Sequence, residues 1–128
     1  MMDDRRVDVI QSAYPLALGY MRRYPLMRVD EVARTQEGLA SYARRNGFTL
    51  GTVHVEDLLT DPQAFLEMVA AINLFEIPAV VIPTAAHLGN PVVPESKRAY
   101  FDRETKARVL VADLPGSPAT RTGMSEVP

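Results

Sequence analysis

Between residues 16 and 112 the hydrophobic positions change their period several times, and each change marks an element. Leu16 to Arg22 alternates, with Leu16, Leu18 and Tyr20 on one side and Ala17, Gly19 and Met21 on the other. Both sides are apolar or small, which predicts a strand covered on two faces. Pro25 stops any ladder. From about Asp30 to Asn46 the period is helical: Val32, Leu39 and Ala43 share a stripe, Asp30 is placed to cap the start, and Asn46-Gly47 is a stop signal. "FTLGTVHV", Phe48 to Val55, predicts a second strand, and "EDLLTDP" a polar turn. Asp61 then reads as the cap and Pro62 as the first residue of a helix ending near Glu76, with Phe65, Val69 and Ile72 at helical spacing. The run "AVVIP", Ala79 to Pro83, predicts a central parallel strand. After the loop "TAAHLGNPVVP", a short helix over about Glu95 to Thr105 leads to a fourth strand, Ala107 to Ala112.

This β-α-β-α-β-α-β order implies right-handed crossovers. The expected fold is α/β: a doubly wound, parallel, four-stranded sheet with helices on both faces, three layers in all, and the first strand between the second and third. Residues 1–15 read as a leader and 16–112 as one domain. Residues 113–128, rich in Pro, Gly, Ser and Thr, read as a disordered tail. Ligands of such folds bind at the carboxyl ends of the strands where the strand order reverses. That places a site between "RRYP" after the first strand and "PTAAHLGN" after the third.

Composition narrows the chemistry. A chain of 128 residues with 47% hydrophobic and 23% charged residues suits one globular domain. The net charge of −2 does not favour nucleic acid as a strongly basic surface would, so any polyanion site must be local. The absence of cysteine excludes disulfides, thiolate catalysis and cysteine-ligated zinc, and suits a cytoplasmic location. No stretch approaches the roughly 20 apolar residues of a membrane span, so no membrane partner is expected. Twelve of the 14 basic residues are arginine. Most stand at helical surface spacing, which reads as codon preference and solvation rather than a phosphate-binding array.

Four segments, "GYMRRY", "QEGLASYARRNGFTL", "VEDLLTD" and "AVVIPTAAHLGN", resemble in order and spacing the catalytic domain of serine recombinases, the resolvase and invertase family. The resemblance runs from about Leu16 to Ala112. It implies the same doubly wound fold and, in intact members, DNA strand exchange through a serine joined covalently to a DNA phosphate. That serine closes a Tyr-x-Arg-x-Ser pattern at the end of the first strand. Cations around it come largely from Asp-Arg-Leu-x-Arg after the third.

In this chain Tyr20 and Arg22 match the first two members of the strand pattern, and Tyr24 holds the place of the nucleophile. Asp57 and Thr60 match the acidic and hydroxyl positions of the turn after the second strand. After the third strand the family's Asp and first Arg become Ala86 and His87, Leu88 and Gly89 are kept, and the second Arg becomes Asn90. In the family the fourth strand leads to a long dimer-forming helix and, in most members, to a helix-turn-helix. The Pro-rich residues 113–128 read as neither.

Transesterification at phosphate needs an aligned nucleophile and fixed cations for the charge that develops on the phosphoryl oxygens. A tyrosine is longer than a serine by a ring, so Tyr24 reads as an aromatic packed over the sheet edge. If the strand continues, Arg22 and Arg23 point to opposite faces, and the Tyr-x-Arg register selects Arg22 for the site. Arg22 and His87 are therefore the anion-binding candidates. The plain alternative for Arg22 is an ion pair with Asp57; for His87, which near pH 6.5 could titrate as a phosphate ligand, it is a solvated loop residue. His54 reads as an ordinary strand residue, Arg44-Arg45 as a pair meeting the negative pole of their helix, and Ser12, Ser41, Thr84 and Ser96 as structural hydroxyls. Glu56 and Asp57, adjacent on a strand, face opposite ways and do not read as an acid/base pair. Two histidines on different elements without a carboxylate at ligand spacing predict no metal site, and no cofactor is expected.

The expectation from sequence is a resolvase-like domain without catalysis, acting as a binding or regulatory module in DNA transactions. Its candidate partners are DNA, another recombinase subunit or a second copy of itself. Two other readings stand beside it: a strand-exchange enzyme whose missing cations come from a partner, and a small protein binding a phosphate-bearing ligand.

Overall fold

The computed structural model describes residues 14–114. Its elements, in order, are β1 (Leu16–Arg22), α1 (Val29–Arg45), β2 (Thr49–Glu56), α2 (Ala64–Phe75), β3 (Ala79–Ile82), a single 3₁₀ turn (Ala85–His87), α3 (Lys97–Glu104) and β4 (Arg108–Val111). The strands form one sheet in the order β2-β1-β3-β4, with every neighbouring pair parallel. The expected α/β fold is present, and β1 lies between β2 and β3. Residues 1–13 and 115–128, hence most of the expected leader and tail, lie outside the described residues.

The two faces of the sheet are packed differently. Leu18, Tyr20, Val80 and Ile82 point to one face and meet Phe65, Met68, Val69 and Ile72 of α2 together with Phe101 of α3. Ala17, Ala79 and Val81 point to the other and meet Leu39 and Ala43 of α1. Small side chains on the α1 side let that helix approach closely. Each large side chain on the opposite side contributes roughly 1.5–3 kcal/mol by leaving water. Gly19 belongs to the crowded side: a Cβ there would lie 2.9 Å from Cγ2 of Val53 on β2. Between Ala17 and Gly19 the β1/β2 register slips by one residue, so β2 bulges at Gly51 and Thr52.

Helix ends differ from the expected caps. Asp30 does not cap α1; its carboxylate pairs instead with Arg28 and Arg34, while Glu31 accepts a hydrogen bond from the Arg28 backbone N–H at 2.8 Å. The carboxylate three residues into the helix has the better reach to that amide. Nor does Asp61 cap α2, and Pro62 lies before the helix rather than at its first position. The Asp61 backbone is tied to Asp57 by reciprocal hydrogen bonds of 2.8 and 3.1 Å, which closes the turn after β2 and delays the helix to Ala64. Ser96 does cap α3, accepting from the Ala99 amide at 3.0 Å. Asn46 ends α1, and Gly47 follows at φ +84°.

Leu114, grouped with the tail by composition, is held to the domain. The Leu114 amide donates to the carbonyl of Pro83 at 3.0 Å, and its side chain packs on the α1 face. Gly38 leaves the room for it, since a Cβ at Gly38 would sit 2.8 Å from Leu114 Cδ1. A leucine between Asp113 and Pro115 has no partner within its own stretch of sequence, which is why composition grouped it with the tail.

Candidate functional site

All strands are parallel, so their carboxyl ends share one edge of the sheet, and β1 delivers Tyr20, Arg22 and Tyr24 to it. The Tyr20 side chain is buried, with its ring edge-on to Phe65 at 5.6 Å. Its hydroxyl is enclosed and has no hydrogen-bond partner among the described residues. Burial pushes the phenol well above its ordinary range, and the negative charge of Glu56 pushes it further the same way. Such a group neither ionises nor attacks.

Arg22 ends β1 with its side chain exposed. Its guanidinium carbon lies 5.7 Å from the centre of the Tyr24 ring, within reach of a cation–π attraction. The same ring stands edge-on to the His87 imidazole, with centroids 5.4 Å apart. His87 is not the solvated loop residue of one expectation, nor the titrating ligand of the other. It is buried, and its Nδ1 accepts a hydrogen bond from the Arg22 backbone N–H at 3.0 Å. That bond assigns the ring proton to Nε2. Burial, reinforced by the nearby positive charge of Arg22, holds the imidazole down to about 4. Near neutral pH His87 carries no charge.

The expected Arg22–Asp57 pair is also absent, and Arg23 takes that place. Arg23 Nη1 lies 3.8 Å from Asp57 Oδ2, while its Nη2 donates to the Met27 carbonyl at 3.1 Å. Asp57 further accepts from the Leu59 amide at 2.8 Å, so this carboxylate organises its own turn. Thr60 is exposed in that turn, away from the β1 cluster. After β3, Ala86 is exposed and Asn90 is committed to its loop: its side-chain oxygen accepts from Val92 N at 2.8 Å, and its carbonyl from Ser96 Oγ at 2.7 Å. The structure therefore brings together Tyr20, Arg22, Tyr24 and His87, and leaves Asp57, Thr60, Ala86 and Asn90 to the surrounding turns.

Two residues that the sequence reading did not join complete the edge. Glu56, opposite Arg22 in the β1/β2 register, points to the α2 side of the sheet. Its Oε1 accepts from the Phe65 backbone N–H at 3.2 Å, and its Oε2 lies 3.6 Å from Lys97 Nζ. Glu56 thus fills the anion position at the first turn of α2. Lys97 also lies 5.8 Å from the centre of the Phe65 ring. An open groove of about 330 Å³ runs between the starts of α2 and α3, lined by Glu56, Phe65, Lys97 and Tyr100 among others. The signal in the sequence was parity: Glu56 follows His54 on the Tyr20 side of the sheet, a relation that the β1/β2 register supplies and neither strand carries alone.

Among the described residues no three histidine, aspartate or glutamate side chains converge as metal ligands, and no helix is long and apolar enough to cross a membrane. Comparison with family models, curated proteins and solved structures gives no significant match. The functional reading rests on the site itself.

Proposed function

We propose that the chain is a resolvase-like domain that does not transfer DNA strands and serves as a binding module in DNA transactions. The observation that carries the proposal is the Arg22–Tyr24–His87 stack. The residue in the nucleophile's position is packed against a neutral, buried histidine, and one exposed guanidinium is the only cation of the stack. Removing a single preorganised charge stabiliser commonly costs about 100- to 1,000-fold in rate. Here Ala86, His87 and Asn90 all supply no charge where the resemblance expects the acid and cations that follow β3.

The test is to incubate the full chain with supercoiled and pre-nicked DNA, then run denaturing electrophoresis. No covalent protein–DNA adduct is expected. A denaturant-stable adduct that disappears in Tyr24→Phe would make the tyrosine a nucleophile and overturn the reading.

A second reading, binding of a phosphate-bearing small molecule, draws support from Arg22 alone. Among the described residues it forms no ion pair, whereas Arg23, Arg28, Lys97 and Arg98 each do. One charge-assisted contact contributes about 1.5–3 kcal/mol, so affinity for inorganic phosphate is at best about millimolar. His87, neutral down to about pH 4, adds nothing to it on mild acidification. Amide shifts on phosphate titration should cluster at Arg22 and vanish in Arg22→Ala. Equal shifts in both proteins would rule out this second reading.

A further inference from the structure

β4 is the outer strand on the β3 side of the sheet, and it bonds to β3 with every second residue. The Arg108 amide donates to the Pro78 carbonyl and the Ala112 amide to the Ile82 carbonyl, both at 2.9 Å. In this parallel ladder Arg108, Leu110 and Ala112 therefore turn their peptide groups inward. Val109 and Val111 turn theirs outward, and among the described residues no group bonds to them. The side chains leave both faces of this edge apolar. Val109 and Val111 pack on the α2 face, Leu110 and Ala112 on the α1 face, and all four are only half-buried. Both cores run out to the edge and stop there.

Sheet edges are commonly blunted by a bulge, a proline or a charge in mid-strand. β2, at the opposite edge, has such a device in its bulge at Gly51 and Thr52. β4 pairs without a register slip, contains no proline, and has its one charged residue, Arg108, at its first position. Through Leu114 the chain turns away from the edge: Asp113 stands at φ +58°, and the Leu114 amide donates inward to the Pro83 carbonyl. Residues 115–128, with prolines at 115 and 118 and no apolar run, do not supply a strand of matching character.

We propose that β4 pairs antiparallel with β4 of a second copy of this chain, across a two-fold axis at Leu110, so that two sheets become one. In this register Val109 of each copy faces Val111 of the other, and the two exchange both backbone hydrogen bonds. The Leu110 side chains meet at the closely spaced position between them. β4 supplies what its own edge lacks, an outward row of peptide groups at the same spacing with apolar side chains on both faces. The charges at the two ends of the strand agree with the antiparallel sense. Exposed Glu104, Lys106 and Arg108 stand at the amino end, one negative charge and two positive, and exposed Asp113 stands at the carboxyl end. The register sets Arg108 opposite Ala112, and Asp113 opposite Ala107, between Lys106 and Arg108 of the other copy. A parallel pairing of the same edges would set Arg108 against Arg108. The contact uses neither Arg22 nor the groove and is independent of whether the chain acts on DNA.

The test is sedimentation velocity on the full chain from about 10 μM to about 1 mM, the range of weak contacts suited to so short a strand. Monomer should pass to dimer and go no further. Hydrogen exchange read amide by amide should show Val109 and Val111 gaining protection over the same concentrations. Val109→Pro removes an outward N–H that β3 does not use, at an edge position that tolerates proline, and should weaken dimerisation about tenfold or more. Circular dichroism checks that the fold is kept. Arg108→Asp, at an exposed position, should also weaken it, and Arg108→Asp/Asp113→Lys in one chain should restore it. A monomer throughout, growth beyond the dimer, or a dimer indifferent to both Val109→Pro and Arg108→Asp would each overturn the proposal. So would edge amides protected equally at every dilution, which would show the chain's own residues covering the edge.

Discussion

The backbone amide of Arg22 donates to the imidazole of His87 across 65 residues of sequence, at 3.0 Å. β3 ends at Ile82, so no β3 carbonyl is in register with this amide, and the histidine ring stands in for the missing acceptor. A protonated imidazole could not accept this bond. Below the ordinary pKa of 6.5 the unfolded chain therefore takes up a proton that the folded protein refuses until about 4. The stabilisation is complete above pH 6.5 and is lost as the pH falls towards 4. It amounts to at most about 3 kcal/mol. Asparagine places its Oδ1 where the imidazole Nδ1 stands and accepts the same bond without titrating, so denaturant unfolding of His87→Asn should show a flatter pH dependence over this window. Identical slopes for both proteins would refute the assignment.

Tyr20 carries a buried hydroxyl with no hydrogen-bond partner among the described residues, and such a group costs stability. Tyr20→Phe keeps the ring against Phe65 and should raise unfolding free energy by about 1 kcal/mol. Absorbance titration of the wild type should show one tyrosine ionising only as the protein unfolds. A clear loss of stability in Tyr20→Phe would mean that the Glu56 carboxylate holds the hydroxyl after all.

Gly19 and Val53 share one space. Gly19→Ala places a methyl 2.9 Å from Val53 Cγ2 and should destabilise by about 1–3 kcal/mol, the range for overpacking. Val53→Ala should then recover part of that loss rather than add to it. A double-mutant cycle on chemical denaturation reads the coupling, and simple additivity would show that the strand shifts to absorb the methyl.

Leu114 and Gly38 make a second such pair across the α1 face. Leu114→Ala should cost about 1–2 kcal/mol of burial. In that background Gly38→Ala should become stabilising, by up to about 1 kcal/mol of helix propensity, because the competing side chain is gone. Thermal melts of the four proteins settle the sign in each background.

What could be read from the chain was what is local. The alternation over Leu16–Arg22 and the run Ala79–Ile82 placed two strands to the residue or within one of it, and their two-sided apolar character put them in the centre of the sheet. The caps misled because Asp30 and Asp61 carry a good capping side chain but have nearer uses, one among arginines and one in a closed turn. The sheet edge where Arg22, Tyr24 and His87 meet was legible, but the state of those groups was not. Which arginine meets Asp57 depends on how the chain turns after β1, and the charge of His87 depends on burial by elements far away in sequence. Glu56 and Lys97 were missed because 41 positions separate them and only the packing of α3 beside α2 joins them.

Glu56 also decides where a solute anion could go. Its carboxylate is tethered to the neighbouring strand and already occupies the first turn of α2 beside Lys97, so phosphate arriving from solution would meet an internal competitor. Such a tethered group acts at an effective concentration of roughly millimolar or more. The groove can therefore accept an anion only by displacing the protein's own, and Lys97 is withheld from weak ligands whatever their shape. Arg22, with no tethered rival among the described residues, is left as the position at this edge where ambient anion concentration is felt directly.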